Sequence, residues 1–219
     1  MAVAAYHAAM VYLDVLLGLL ALAIALALRP WRAWTLCAPP WPALAWWAVL
    51  PLLWSLDAVT GMPLLQPLSG VCVLLLMLGW PLAVLMLLPV AAVMVLMADL
   101  STLDALHRTV WLGLVPATLA MVLGAAMRRW LPRHLFVYIL GRGFFATALA
   151  VAAAGALAAL LYGVPANLSL DDVLLARGLA AWGDAFLTGG MAAIFVAFRP
   201  EWLATYTDRI YLPNDRPRP

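Results

Sequence analysis

Seven apolar stretches divide this chain, and each is near the length of a bilayer crossing or somewhat shorter. They fall at about 8–28, 43–57, 64–79, 81–98, 109–127, 135–162 and 175–198. A helix rises about 1.5 Å per residue, so roughly 20 apolar residues cross a membrane core. Composition agrees with this reading. The chain has 219 residues, 68% hydrophobic and 10% charged, against roughly 25% charged in a soluble domain. The expected fold is an all-α, polytopic membrane helix bundle of about seven transmembrane helices. It forms a single transmembrane domain over 1–212, with 213–219 as a short cytoplasmic tail.

Two of the seven stretches are irregular. The third and fourth are separated only by Gly79-Trp80-Pro81, a plausible helix break. The second and third are short and carry proline, so one of them is a candidate partial or re-entrant span.

Charge placement sets the expected orientation. Arg29 and Arg32 follow the first stretch, Arg128, Arg129 and Arg133 the fifth, and Arg199, Arg209, Arg216 and Arg218 the seventh. If all seven cross, these arginines share one side. Asp57, Asp99, Asp104, Asp171 and Asp172 share the other, with Arg108 as its clearest basic residue. The positive-inside rule then places the N-terminus outside and the C-terminus in the cytoplasm. Trp31, Trp34, Trp41, Trp111, Trp130 and Trp202 lie near the ends of the stretches, where interfacial tryptophan belongs.

Several chemistries drop out. All twelve basic residues are arginine. With no lysine there is no Schiff base for retinal and no P-loop lysine for an ATPase. Cys37 is expected beside the cytoplasmic face and Cys72 inside a helix, so a disulfide between them is not expected, and no CxxC spacing occurs. The N-terminus lacks a basic region before its apolar run, unlike a cleavable signal.

Charges inside the stretches are the informative residues, because each costs at least about 2.5–3.5 kcal/mol to insert and must face protein or water. Asp14, Arg142 and Asp184 qualify. Asp184 near the middle of the last stretch reads either as a substrate, ion or gating site or as an interhelical tie. Asp14 and His7 are the other candidate substrate-binding residues. Arg142, between Gly141 and Gly143, reads as a structural intramembrane charge that snorkels or clamps a helix. It lies roughly 10 Å from Asp184 in depth by helix rise, so a pair between them is open. Ligand spacing for a metal is missing around His7, His107 and His134. Ala21, Ala23, Ala25 and Ala27 form overlapping small-xxx-small pairs, which suit internal packing or docking of a partner subunit.

Longer stretches of the chain resemble a known family. They are LPLLWSL (50–56), GWPLAVL (79–85), LGLVPA (112–117), RRWLPRHLFVYIL (128–140), FFATAL (144–149), GDAFLTGG (183–190) and FRPEWLATYTDRIYL (198–212). Together they resemble energy-coupling-factor ABC transporter permeases, related to the cobalt/nickel-type substrate-capture subunits. The resemblance implies a bacterial inner-membrane protein that captures a small solute or a metal ion such as cobalt or nickel. It also implies a transmembrane coupling subunit and cytoplasmic ATPases in separate chains, no cofactor and no nucleic acid. In related capture subunits an alanine face on the first helix packs on the coupling subunit, a role that Ala21, Ala23, Ala25 and Ala27 would fill. The cobalt/nickel branch holds its metal with a histidine at position two and another in the third helix. Ala2 and Pro67 stand at those places here, so a metal site is left unassigned.

Two other readings stand beside transport. Ser69-Gly70 at a membrane edge invites comparison with an intramembrane serine protease, but the base such a nucleophile needs is missing, so no enzyme is expected. An assembly or structural subunit of a larger membrane complex is the alternative to transport.

Overall fold

The computed structural model describes residues 2–31, 41–61, 66–164, 168–206 and 211, without the side chains of residues 2–5 and His7. Among the described residues the chain is helical throughout, with no strand. The helices are α1 (Ala2–Ala27), α2 (Trp41–Trp54), α3 (Leu56–Thr60), α4 (Val71–Leu78), α5 (Trp80–Ala98), α6 (Thr102–Trp130), α7 (Val137–Tyr162) and α8 (Leu170–Phe198). The protein is a helical membrane bundle.

Five helices are long and apolar enough to cross a membrane: α1 over Ala8–Ala27, then α5, α6, α7 and α8. The other two expected spans are shorter. Helix α2 has 14 residues, about 21 Å of rise. Helix α4 has eight, about 12 Å. The reason for the short α4 is local. Gly70 starts it at φ 63° and Gly79 ends it at φ 77°, backbone states that glycine alone adopts freely. Pro81 then sits in the first turn of α5, where a missing N–H costs nothing.

Two helices begin earlier than their apolar runs. Ser101 caps α6 by accepting from the Asp104 amide, and Ser169 caps α8 by accepting from the Asp172 amide. These capped first turns are polar, so hydropathy alone starts both helices late. Helices α6 and α7 each contain a widened π-helical stretch, Thr109–Leu114 and Val137–Phe145.

The short helix α4 is the centre of the bundle. All eight of its residues are buried, and it packs against α2, α5, α6 and α8. The chain after α8 folds back onto its end. The amides of Ala204 and Thr205 donate to the carbonyls of Met77 and Leu76 at 3.2 and 3.3 Å. Thr205 also bonds the Tyr138 hydroxyl at 2.8 Å. Helix α1 is peripheral and packs on α5.

These contacts fix the two ends of the bundle. Tyr6 of α1 donates to the Leu161 carbonyl at the end of α7, whereas residues after α8 meet Tyr138 at its start. The α1 start and the α8 end therefore lie at opposite ends of α7. Asp57, Asp99, Asp104, Asp171 and Asp172 fall at the first end. Arg29, Arg128, Arg129, Arg133 and Arg199 fall at the second.

Candidate functional site

Interrupted backbone at membrane depth must satisfy its polar groups within the protein. At Ser69 and Gly70, the turn before α4, side chains do this. Asp184 of α8 accepts from the Ser69 amide at 2.8 Å and from the Gly70 amide at 2.7 Å, one on each oxygen. Trp54 donates its indole N–H to the Ser69 carbonyl at 2.8 Å, and Trp46 donates to the Gly70 carbonyl at 2.7 Å. The Ser69 hydroxyl donates to the Leu112 carbonyl at 2.6 Å, inside the π-helical stretch of α6. A carboxylate just ahead of a helix N-terminus also complements its dipole. Asp184 is 1% exposed, so its role here is to tie α8 to the broken segment. It forms no ion pair with Arg142 among the described residues.

A pocket lies beside the segment that leads into this turn. It is lined by Gln66, Pro67 and Leu112 and by Asp57, His107, Arg108, Trp111, Gly155, Ala158 and Arg177. Its volume is about 180 Å³, below the roughly 300–1,000 Å³ of drug-sized sites. It lies at the carboxylate-rich end. Arg108 forks onto Asp57 at 2.5 and 2.7 Å and also donates to the Trp54 carbonyl. That guanidinium holds the Asp57 carboxyl below the usual carboxylate range.

Arg177 differs from Arg108. One of its Nη atoms donates to the Gly155 carbonyl, and its Nε is buried with no hydrogen-bond partner among the described residues. No carboxylate pairs with it among those residues. Its stem lies on Gly155, where an added Cβ would come within 3.2 Å of the Arg177 Cδ. With Asp57 neutralised by Arg108, Arg177 leaves the pocket with a net positive wall.

Behind His107 and Trp111 sits Asp14, 4% exposed. It accepts from Trp111 at 2.9 Å and from the Tyr162 hydroxyl at 2.5 Å, and its second oxygen faces His107 Nδ1 at 2.9 Å. The ring of His107 meets Tyr162 edge-on at 4.4 Å. Asp14 thus holds α1, α6 and α7 together and orients one pocket wall. Neither Asp14 nor Asp184 lines the pocket itself. Among the described residues no group of three His, Cys, Asp or Glu side chains converges as a metal site would require.

The remaining candidates fall elsewhere. The side chains of Ala2 and His7 lie outside the described residues, as does Cys37. Cys72 is buried in α4. Ala21 and Ala25 are buried, packed within this chain, while Ala23 and Ala27 face outward. Arg142 is buried at the arginine-rich half of α7. Sequence reasoning missed Arg177, which lies two residues into an apolar stretch. No family model, curated protein or solved structure matches the chain.

Proposed function

We propose that this protein is the substrate-capture subunit of an energy-coupling-factor-type transporter, with the Arg108–Arg177 pocket as its solute site. One observation carries the reading: a pocket lined by Arg177, which has no carboxylate partner among the described residues, lies beside the interrupted segment before α4. Membrane transporters place solute sites beside discontinuous helices. The sequence resemblance supports the same class, with a coupling subunit and cytoplasmic ATPases in other chains. In this reading the N-terminus is outside and the C-terminus in the cytoplasm of a bacterial inner membrane, so the pocket opens outward. Pro67 and Arg177 in the lining favour a small anion over nickel or cobalt.

Native mass spectrometry of gently solubilised protein, with elemental analysis of the same sample, tests this. The wild type should retain a small anionic solute and arrive with a membrane partner and ATPases. Arg177→Gln removes a charge-assisted hydrogen bond worth about 1.5–3 kcal/mol, so affinity for the solute should fall by roughly 10- to 100-fold. Protein that carries no solute and arrives with a different membrane complex would sink the transport reading and favour an assembly subunit.

A further inference from the structure

A second basic site lies at the other end of the molecule. Arg142 of α7 is 7% exposed. Its Nε and one Nη have no hydrogen-bond partner, and no carboxylate pairs with it, among the described residues. An uncompensated buried charge is costly, and native proteins place one only where something answers it. The neighbouring helix leaves room for this group. A Cβ on Gly124 of α6 would sit 2.8 Å from the Arg142 Nε, so the bare glycine backbone accommodates the guanidinium.

Arg142 lines a narrow cleft with Gly124, Arg128, Arg133, Tyr138 and Tyr211, and the Tyr211 side chain faces its guanidinium. Its volume is about 10 Å³, the room of one water-sized oxygen. Arg128 and Arg133 stand exposed at its mouth, and no described acidic residue lines it. One buried guanidinium, one oxygen-sized hole and two surface arginines fit a tetrahedral oxyanion. One oxygen enters and the others stay at the surface.

The surroundings identify the carrier. Trp130, Leu131 and Phe136 flank the mouth at 78%, 45% and 66% exposed. An exposed tryptophan beside arginines at the end of a spanning helix marks the headgroup layer. We propose that the cleft between α6 and α7 binds a phosphate group, supplied by the headgroup of an anionic phospholipid. The site is separate from the solute pocket. Arg142 and Gly155 are 13 residues apart on α7, about 20 Å along the helix.

The test uses the full chain in detergent, titrated with phosphatidylglycerol, phosphatidylcholine or inorganic phosphate and read by native mass spectrometry and thermal unfolding. Phosphatidylglycerol should bind at least about tenfold more tightly than phosphatidylcholine and raise the unfolding temperature. Arg142→Gln should abolish both effects. Arg128→Gln with Arg133→Gln changes only exposed residues, so it keeps the test valid if Arg142→Gln does not fold, and it should weaken binding by a similar factor. Binding of inorganic phosphate without lipid selectivity would overturn the lipid assignment in favour of a soluble phosphate. Equal lipid binding by wild type and both variants would overturn the site.

Discussion

Asp184 brings an anion into a helix otherwise suited to lipid, and the two amides it meets would be orphaned without it. Asp184→Asn turns one acceptor into a donor that faces an N–H. Asp184→Ala leaves both amides unpaired at about 1–3 kcal/mol each. Both variants should lower the unfolding temperature in detergent, the alanine variant more. An unchanged temperature with lost solute binding would instead make Asp184 a solute ligand. The cost of Asp14, Arg142 and Asp184 was legible from sequence, since any charge in an apolar run needs a reason. Their partners were not. Asp184 answers residues 114 and 115 positions away, and one sequence carries no register between such distant segments. Arg177 escaped notice because it sits near the start of its apolar run, where an arginine passes for an end marker.

The helices were legible where apolar length decides and illegible where capping does. The Gly79 break was readable from Gly-Trp-Pro. The starts of α6 and α8 were not, because their capped first turns look like loop. The π-helical stretch of α7 has a packing consequence that hydropathy cannot express. A Cβ on Gly143 would lie 3.2 Å from the Ala192 Cβ and 3.3 Å from the Gly189 Cα. Helices α7 and α8 therefore touch nearly backbone to backbone. Gly143→Val should push them apart and destabilise by about 1–3 kcal/mol. Gly190 is exposed, with nothing within 4 Å of its added Cβ. Gly190→Ala should be neutral or stabilise by up to about 1 kcal/mol. Unfolding temperatures of the two variants, compared side by side, check the contrast, and equal losses would refute it.

At the scale of the molecule, carboxylates collect at one end and arginines at the other, and this sorting was readable from the sequence before any helix was placed. The Arg108–Arg177 pocket was not, because it gathers residues from α3, α6, α7, α8 and the segment before α4. The orientation is testable with single cysteines in a Cys37→Ser background, where Cys72 remains buried. Ser101→Cys should react with an impermeant maleimide in intact cells, and His134→Cys only after permeabilisation. The reverse pattern would invert the topology. The central position of α4 also bears on how the protein is made. Eight residues are too short to settle across a bilayer unaided. The carboxylate that receives the amides of the turn leading into it is synthesised 115 residues after Ser69. At roughly 5–20 residues per second, that is a wait of about 6–23 s during translation. The middle of this protein is therefore among the last parts to find its place, and the nascent chain must shelter an unfinished segment until its final long helix leaves the ribosome.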